Sequence, residues 1–544
     1  MTVHQSQEPA YRRLPASQAL LDTSAAVEPT TVGSVLRGSA AQHPSSLAVV
    51  SGLPPATERA TWTYAELRAG AEALARSLMA RFDPGERLAI YAPNSPHWIT
   101  VEFAAGLAGL VLVTVNPAFQ AAELAYVLRQ SRAAGIVYEP TFRGNPMERH
   151  LQEARADLPE LREILPTDAI AALIASAPDT VALSEVQPHH AAQIQYTSGT
   201  TGFPKGACLH HLGITNNARL FAERLGVDHE SVIVTAMPLF HTGGCVLGVL
   251  GAVQAGATLV QMELFDPALM LELIETYRAT HLFGVPTMLI ACMEQPEFAT
   301  RDLSSLRIVC SGGATVPAEL VQSIETRLGV SLCIVYGQTE ASPAITLAFP
   351  GDSPTDKAET VGPPLAQVEV KIVDTGSGET TPVGVPGELC ARGYQVMQAY
   401  FEMPEQTAEA IDADGWLHTG DLASMDERGY VTLTGRLKEM IIRGGENVYP
   451  REIEDVLFAH PKVAEVAVVG LPDPKWGEVV VAFVRDADPD DPASDSELVA
   501  HCRQHLAPHK TPQAWFRVAA FPLTPSGKIQ KFALVEALQE GGVR

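Results

Sequence analysis

A loop with the chemistry of a polyphosphate-binding site occupies residues 197–206, which read TSGTTGFPKG. Its glycines reach backbone angles closed to other residues, so successive N–H groups can turn toward one anion. Ser198, Thr200 and Thr201 add hydroxyl donors, and Lys205 adds a full positive charge. The spacing of glycines and lysine is not that of a Walker A loop. A flexible Gly/Ser/Thr surface loop is the alternative interpretation, and the loop alone leaves both open.

The composition indicates a large, acidic, globular chain. Of its 544 residues, 46% are hydrophobic and 19% are charged, which is typical of a folded protein with more than one domain. The net charge of −25 argues against nucleic acid or an anionic membrane surface as a partner. The cysteines are scattered and form no C-x-x-C pair, which favours buried thiols in a reducing cytoplasm over disulfides or a zinc site. The cysteines are Cys208, Cys245, Cys292, Cys310, Cys333, Cys390 and Cys502.

Three segments bear on targeting and membrane insertion. Residues 1–31 are polar and lack the apolar stretch of a signal peptide, so we interpret them as a frayed N-terminal extension. Residues 103–115 are apolar but too short to span a bilayer. Residues 236–262 contain five glycines and a proline, and Gly256 is predicted to end a helix before a strand. Both apolar segments are predicted to be buried core, and no transmembrane segment is expected.

The order of helical and strand patterns predicts the fold class. From residue 32 to about residue 435, helical periods alternate with short β-rich runs, which is typical of α/β layers with largely parallel sheets. After residue 359, short strands separated by Gly/Pro turns indicate a small β-rich subdomain. A further α+β unit follows a boundary at residues 436–438. The predicted helices cover residues 64–81, 98–110, 267–280 (with Asp266 as N-cap), 317–328, 450–459 and 496–505.

Further short motifs follow the first loop in a fixed order. They are residues 237–244 (MPLFHTGG), 311–315 (SGGAT), 336–340 (YGQTE), 416–421 (WLHTGD), 435–450 (GRLKEMIIRGGENVYP) and 522–528 (PLTPSGK). In this order, and over nearly the whole chain, they resemble the ANL superfamily of adenylate-forming enzymes, and within it the acyl-CoA synthetases. The resemblance implies a reaction in two steps. A carboxylate attacks the α-phosphorus of ATP and releases pyrophosphate, and coenzyme A then displaces AMP from the acyl-adenylate.

The resemblance also implies the ANL fold and its division into domains. The α/β N-terminal domain would contain two α/β subdomains and the small β-rich subdomain, and a mobile α+β C-terminal domain would follow it. The implied boundaries are an extension at residues 1–31, an AMP-binding domain at 32–435, a hinge at 436–438 and a C-terminal lid at 439–544. Lys438 matches the hinge position, which absorbs the change in backbone angles.

For the nucleotide, the resemblance implies that the loop at 197–206 holds the β and γ phosphates of ATP. Thr339 is expected at the α-phosphate, and Tyr336 is expected to stack on adenine, with core packing as the competing interpretation. Asp421 is expected to bind the ribose hydroxyls, and Arg436 the same sugar or its phosphate. Without the resemblance, Asp421 would be interpreted as a turn residue and Arg436 as half of a surface ion pair. The implied ATP/AMP site comprises Thr197, Ser198, Gly199, Thr200, Thr201, Gly202, Lys205, Gly312, Gly313, Ala314, Tyr336, Gly337, Thr339, Asp421, Arg436 and Lys528.

The implied catalytic residues are Lys528, Thr200, Lys205, His241 and Glu340. The Lys528 ammonium would neutralise charge as carboxylate and α-phosphate meet. Glu340 and Thr200 are expected to hold Mg²⁺, which prefers oxygen ligands. His241 is expected to gate the acyl pocket without transferring a proton, because a carboxylate nucleophile needs no base at neutral pH.

The C-terminal domain would work in two orientations. It would close to bring Lys528 to ATP, and then rotate so that Gly444 and Gly445 form part of the channel for the pantetheine of CoA. Glycines suit a thiol chain that passes close to the backbone. The pattern ending at Lys528 also resembles the site that bacterial lysine acetyltransferases modify in such synthetases. An acetyltransferase and a deacetylase are therefore predicted partners. Acetylation would remove the charge and stop adenylation.

The acyl pocket is the least specified part of the site. The segment after His241 is small and apolar with no acidic residue, which disfavours an amino acid as substrate. Medium-chain fatty acid is the predicted substrate, and an aryl or branched acid is the alternative. A luciferase-like oxidase on the same fold and a kinase that releases ADP are competing classes. The oligomeric state stays open, with a homodimer as one option. The implied pocket comprises His241, Gly243, Gly244, Val285, Pro286 and Gly337.

Overall fold

The computed structural model of the chain describes residues 14–178, 181–197, 204–314, 316, 318–444, 446–522 and 529–539. Within these residues the strands are, in chain order, β1 (Leu47–Ser51), β2 (Thr61–Thr63), β3 (Arg87–Tyr91), β4 (Val111–Val115), β5 (Ala133–Tyr138), β6 (Glu163–Pro166), β7 (Ala191–Thr197), β8 (Lys205–His210), β9 (Val232–Thr235), β10 (Thr258–Gln261), β11 (His281–Phe283), β12 (Ile308–Gly312), β13 (Ser331–Gly337), β14 (Ala344–Leu347), β15 (Val368–Val373), β16 (Gly387–Gly393), β17 (Ala399–Tyr400), β18 (Leu417–Met425), β19 (Val431–Arg436), β20 (Ile441–Arg443), β21 (Glu446–Val448), β22 (Val463–Asp473), β23 (Gly477–Asp486) and β24 (Ala514–Arg517).

The predicted helices are present, with ends within three residues of those expected. The helices are α1 (Val32–Gln42), α2 (Tyr64–Met79), α3 (Pro96–Ala108), α4 (Ala121–Gln130), α5 (Met147–Ala154), α6 (Ile170–Ala175), α7 (His211–Arg224), α8 (Gly251–Ala255), α9 (Pro267–Tyr277), α10 (Pro286–Met293), α11 (Ala318–Leu328), α12 (Pro354–Glu359), α13 (Pro404–Ala410), α14 (Pro450–Phe458), α15 (Asp495–His505) and α16 (Lys531–Gln539), with a π-helix at Gly243–Leu250 that leads into α8.

Local sequence explains several of these element boundaries. The Asp266 side chain accepts a hydrogen bond from Leu269 N at 2.8 Å, and Pro267 starts α9, so the predicted N-cap is confirmed. Gly256 ends α8 with a φ of +72° before β10 begins, as predicted. Thr63 and Glu66 form a capping box at the start of α2.

Two large sheets form the body of the molecule. One has eight strands in the order β14-β13-β12-β11-β9-β10-β1-β2, and the other has seven in the order β17-β8-β7-β4-β3-β5-β6. All pairs from β13 to β1, and all pairs from β7 to β6, are parallel. Among the described residues, the antiparallel pairs are the two outermost pairs of the eight-stranded sheet and the first two pairs, β17–β8 and β8–β7, of the seven-stranded sheet. The predicted α/β class with largely parallel sheets is therefore confirmed.

Two smaller sheets complete the described chain. The strands β15-β16-β18-β19 form an antiparallel four-stranded sheet, which confirms the predicted β-rich unit. The C-terminal sheet has five strands, with β24 parallel to β23. Ile453 of α14 and Leu498 of α15 pack in one apolar cluster with this sheet, and Leu534 of α16 packs in another. The predicted α+β pattern of the C-terminal unit is thus present.

The interpretation of residues 1–31 as a frayed extension is wrong for residues 14–31. The N–H groups of Leu14, Ser17 and Ala19 donate hydrogen bonds of 2.9 Å to carbonyl oxygens in or beside the four-stranded sheet. The Ser17 side chain is fully buried and donates to Pro382 O at 2.8 Å. A polar segment without apolar periodicity is held here by backbone pairing, which composition does not report.

The two apolar segments compared with membrane spans are largely buried within the fold, as predicted. Of the helices described, none combines the length and the apolar character that a membrane crossing requires. All seven cysteines are free and buried, in agreement with their interpretation as small core residues.

Candidate active site

The predicted ligand-binding segments share one edge of the eight-stranded sheet. β9, β11, β12 and β13 are parallel neighbours in this sheet. The segments at 236–244, 284–286, 313–314 and 338–341 follow their carboxyl ends. In open α/β sheets, ligands bind in the crevice at the carboxyl ends of the strands. The fold therefore brings the proposed acyl and adenine segments together.

The phosphate loop connects an antiparallel pair of strands. Thr197 ends β7 opposite Lys205, which begins β8, and Thr197 Oγ1 donates to the Lys205 carbonyl oxygen at 3.4 Å. The structure therefore fixes both ends of the predicted loop. The central residues of the loop lie outside the described residues, and their roles stay predictions. These residues are Ser198, Gly199, Thr200, Thr201 and Gly202.

Glu340 lies in a short turn after β13 and contacts a residue that the sequence did not indicate. The hydroxyl of Tyr400 donates to Glu340 Oε1 at 2.7 Å. Lys205 Nζ lies 4.2 Å from the centroid of the same tyrosine ring. Burial, followed by the neighbouring Glu340 carboxylate, raises the pKa of Tyr400, so its hydroxyl stays protonated and donates. A tyrosine in a two-residue strand carries no chemical signature in sequence, and only the fold reveals this contact.

Glycines let the backbone come close at this edge of the sheet. A Cβ on Gly337 would lie 1.9 Å from Pro343 O, and a Cβ on Gly312 would lie 2.2 Å from Val335 O. Gly313 has a φ of +74°, and it is exposed together with Ala314. The backbone beside the proposed adenine site is therefore open to a ligand.

Asp421 contacts two other predicted residues, of which Tyr336 is buried and Arg436 is exposed. Asp421 itself is 6% exposed in β18. Its Oδ2 accepts from the Tyr336 hydroxyl at 2.8 Å, and its Oδ1 lies 3.0 Å from Arg436 Nε. Asp421 is thus a strand residue, so its interpretation as a turn residue is wrong, whereas the ion pair read for Arg436 is present. Burial, with a further contribution from Asp421, raises the pKa of Tyr336 well above its usual value.

A second layer of side chains supports Asp421. Glu388 Oε2 lies 2.8 Å from His418 Nδ1, and Glu388 Oε1 accepts from Gly420 N at 3.0 Å. Cys390 Sγ lies 3.5 Å from the same histidine nitrogen. These three side chains are near enough to hold a metal ion, but Glu388 already uses both oxygens within the protein. We assign them to holding the backbone at Gly420, which has a φ of +70° within β18. Each of these residues is ordinary alone, so the sequence did not indicate them.

The segment after His241 forms an unusual helix. Residues 243–250 are a π-helix, a rare conformation that is frequent at functional sites. His241 Nδ1 accepts from Gly243 N at 3.1 Å. A Cβ on Gly244 would lie 2.2 Å from Pro238 O, so only glycine fits there. Val285 is the N-cap of α10 and Pro286 is its first residue, and both follow β11, the strand next to β9.

The predicted C-terminal residues are described in part. Lys438 is exposed in a one-turn 3₁₀-helix that follows β19, and Gly444 has a φ of +62° in the β20–β21 connection. Gly444 N donates to Trp476 O at 2.7 Å. Gly445 and Lys528 lie outside the described residues, so the structure does not place the proposed catalytic ammonium.

Comparison with known proteins gives matches over nearly the whole chain. The family model for AMP-binding enzymes matches residues 36–401, and the model for the C-terminal domain of AMP-binding enzymes matches residues 452–528. The chain is 40% identical to the putative acyl-CoA synthetase YngI of Bacillus subtilis, over 93% of this chain and 97% of that protein. It is 36% identical to the mitochondrial medium-chain acyl-CoA ligase ACSF2 of Rattus norvegicus, over 94% of this chain and 88% of that protein. The solved structure of ATP-bound MatB from Rhodopseudomonas palustris matches with a TM-score of 0.86 and 28% identity, over 94% of this chain and all of that one.

The α/β body and the separate C-terminal unit agree with the two family models and with the fold of the ATP-bound MatB structure. The chain belongs to the AMP-binding, or ANL, family of adenylate-forming enzymes. It is an AMP-forming acyl-CoA ligase, whose substrates are ATP, a carboxylic acid and CoA.

Proposed function

We propose that this ligase acts on a medium-chain fatty acid. The observation that carries the proposal is the π-helix after His241, where the residues from Gly244 to Leu250 are buried, uncharged, and small or apolar. An aliphatic tail can pack there without leaving a polar group unpaired, whereas an ammonium group would need a carboxylate partner. The name of the ACSF2 relative, at 36% identity, supports the same class of acid.

We assign the nucleotide contacts as follows. Asp421 accepts the ribose hydroxyls, since its carboxylate is buried and already fixed by Tyr336 and Arg436. The Tyr336 ring lies against adenine beside Gly312 and Gly313, Thr339 contacts the α-phosphate, and Lys205 contacts the outer phosphates. The shared sheet edge and the exposed backbone at Gly313 and Ala314 support this arrangement. In the first step an oxygen of the acid attacks the α-phosphorus and pyrophosphate leaves.

Glu340 fits the role of a Mg²⁺ ligand. Its side chain is half-buried, and Tyr400 holds one of its oxygens. The other oxygen accepts no hydrogen bond from the described residues, so it is available to a hard cation. When bound, Mg²⁺ would supply positive charge to the phosphate oxygens. Thr200, the second proposed ligand, lies outside the described residues.

The C-terminal domain is proposed to serve both steps. Lys528 would neutralise charge during adenylation, and the segment at Gly444 and Gly445 would then line the path of the CoA thiol. The thiol sulfur attacks the acyl carbon, and AMP leaves. Lys438 is proposed as the hinge. We also propose that Lys528 is an acetylation site and that its acetylation stops adenylation while sparing thioesterification. Acetyl-Lys528 protein that exchanged pyrophosphate into ATP at the full rate would contradict the proposed effect.

A panel of carboxylic acids tests the proposed substrate. Pyrophosphate release and CoA thioester formation would be measured together for straight-chain acids of increasing length and for aryl and branched acids. We expect kcat/KM to peak for medium-chain acids, with one AMP and one pyrophosphate per thioester. A maximum for an aryl or branched acid would replace the proposed substrate. Release of ADP, or light emission with consumption of O₂, would place the reaction in another class.

A further inference from the structure

Tyr400 lies between two groups that the proposed mechanism uses. Its hydroxyl donates to Glu340 Oε1 at 2.7 Å, and Lys205 Nζ lies 4.2 Å from its ring centroid. The residue is only 5% exposed. One rigid side chain therefore contacts the carboxylate through its edge and the ammonium through its face.

The backbone around Tyr400 joins the same two segments. Met397 N donates to Glu340 O, and Phe401 N donates to Gly206 O, each at 2.8 Å. Tyr400 itself pairs with Ala207 in β8, the strand that Lys205 begins. The short strand β17 thus fastens the Glu340 turn to one end of the phosphate loop, which keeps the ring in place.

We propose that Tyr400 is a positioning residue for adenylation, which orients the Glu340 carboxylate and restrains the Lys205 ammonium. This inference rests on the proposed roles of Glu340 and Lys205 at the phosphates and their cation. A free carboxylate rotates about its terminal bonds, and a donor on one oxygen directs the other toward a ligand. Loss of such a partner typically costs about 10- to 100-fold in metal affinity or activity. The ring face also attracts the ammonium and limits its positions.

The chain contains a closely matched control in Tyr430. Its hydroxyl donates to Asp352 Oδ1 at 2.7 Å, and the Arg428 guanidinium carbon lies 4.5 Å from its ring centroid. It is 3% exposed. Tyr430→Phe therefore removes the same type of hydrogen bond under a cation, but in a residue outside the proposed site.

The first measurement is cation binding and does not depend on turnover. Mn²⁺, as a paramagnetic substitute for Mg²⁺, would be titrated by EPR into the full-length protein with a non-hydrolysable ATP analogue. We expect Tyr400→Phe to weaken Mn²⁺ binding by about tenfold. Tyr430→Phe should leave the affinity within about twofold of the parent. An unchanged Mn²⁺ affinity in Tyr400→Phe would overturn the proposal.

The second measurement separates the two half-reactions. Tyr400→Phe should raise the Mg²⁺ concentration needed for half-maximal pyrophosphate exchange by about tenfold. It should leave acyl transfer from synthetic acyl-adenylate to CoA unchanged. Equal loss in both half-reactions would indicate general damage and would overturn the positioning role. Thermal unfolding of both Phe variants would be recorded beside these assays to compare their folded fractions.

A double-mutant cycle tests whether Tyr400 acts through Glu340. In the Glu340→Gln background, adding Tyr400→Phe should change Mn²⁺ affinity by less than about twofold, because the charged partner is already gone. A full tenfold loss in that background would overturn the proposal. A parent protein that forms no acyl-adenylate from any acid would instead contradict the proposed function. The two failures can be told apart, because the Mn²⁺ titration tests the role of Tyr400 without any acid present.

Discussion

At the scale of single residues, charge and burial at Asp421 set the strongest constraint on the proposed nucleotide site. The carboxylate is 6% exposed and has a tyrosine hydroxyl on one oxygen and a guanidinium on the other. A buried charge is tolerated when its partners satisfy it, and these partners also fix its orientation. A ribose diol that meets this carboxylate finds an acceptor that needs little rearrangement.

Asp421→Asn should weaken AMP and ATP binding by about 10- to 100-fold, because hydrogen bonds to a charged group are worth about 1.5–3 kcal/mol. Calorimetric titration with AMP would measure the loss, and pyrophosphate exchange at varied ATP would show it as a raised KM. Asp352→Asn is the matched control, since Asp352 also accepts from a buried tyrosine hydroxyl at 2.7 Å. Equal weakening by both variants would mean that Asp421 contributes through stability alone.

Sequence could indicate some of the contacts at this scale but not others, and the roles of these residues stay predictions. Asp421, Arg436 and Tyr336 belong to separate motifs, and their motif order was enough to assign them to one site, where the structure joins them directly. Tyr400 and Glu388 lie outside the recognised motifs. Only the fold shows which side chains they contact. A linear pattern reports residue types and spacing, and it does not report such contacts.

At the scale of elements, the π-helix at Gly243–Leu250 distinguishes two neighbouring glycines. A Cβ on Gly243 would meet the flexible end of Met237 at 3.0 Å and His241 Nδ1 at 3.4 Å. A Cβ on Gly244 would lie 2.2 Å from a backbone carbonyl oxygen, which cannot move away. The sequence predicted an apolar pocket wall here but not a π-helix. In a short segment that is apolar throughout, the residue pattern does not distinguish one type of helix from another.

Gly243→Ala should therefore fold and shift the preference of the enzyme toward shorter acids, because the new methyl group would lie beside Met237 and His241, the proposed gate of the pocket. Gly244→Ala should lose about 3 kcal/mol of stability or more. The acid panel and denaturant unfolding would measure these two outcomes. A folded Gly244→Ala protein of parental stability would contradict the packing described, and an unaltered chain-length profile in Gly243→Ala would place the pocket elsewhere.

The start of α7 should make the protein sensitive to acid. His211 is fully buried, its Nδ1 accepts from Val32 N at the start of α1, and its Nε2 has no partner among the described residues. Burial lowers the pKa of His211 to about 3. The unfolded chain binds a proton near pH 6.5 while the folded protein does not, so stability falls as pH drops below 6.5. At pH 5.0 the neutral, buried His211 should lower the free energy of unfolding by about 2 kcal/mol.

His211→Asn retains an acceptor near the position of Nδ1 but removes the titration. Denaturant unfolding at pH 7.5 and pH 5.0 should show a smaller loss of stability for the variant, by about 2 kcal/mol. His210 and His281, whose pKa values burial also lowers, remain in both proteins and so cancel in the comparison. An equal loss in parent and variant would show that His211 does not drive the acid response.

At the scale of the whole molecule, sequence predicted the α/β body, the small β-rich sheet and the α+β C-terminal unit. These follow from periodicity, which depends on residues near each other in the chain. The prediction from sequence failed for residues 14–31, because backbone hydrogen bonds to the four-stranded sheet hold a segment with no periodic pattern. The relation between the α/β body and the C-terminal unit bears most directly on the proposed mechanism, because Lys528 and the proposed ATP site are assigned to different domains.

That division predicts variants that separate the two half-reactions. Lys528→Ala should slow acyl-adenylate formation by about 10²- to 10³-fold but leave acyl transfer from synthetic acyl-adenylate to CoA near the parental rate. Gly444→Ala should do the reverse, because its left-handed φ of +62° disfavours a side chain and the new Cβ would lie 3.0 Å from Trp476. Gly378→Ala, with a φ of +73° and open space around it, controls for backbone strain alone. Rapid-quench measurement would give the rate of each half-reaction in each variant. An equal loss of rate in both half-reactions for Lys528→Ala would contradict a C-terminal domain that serves the two steps in separate orientations.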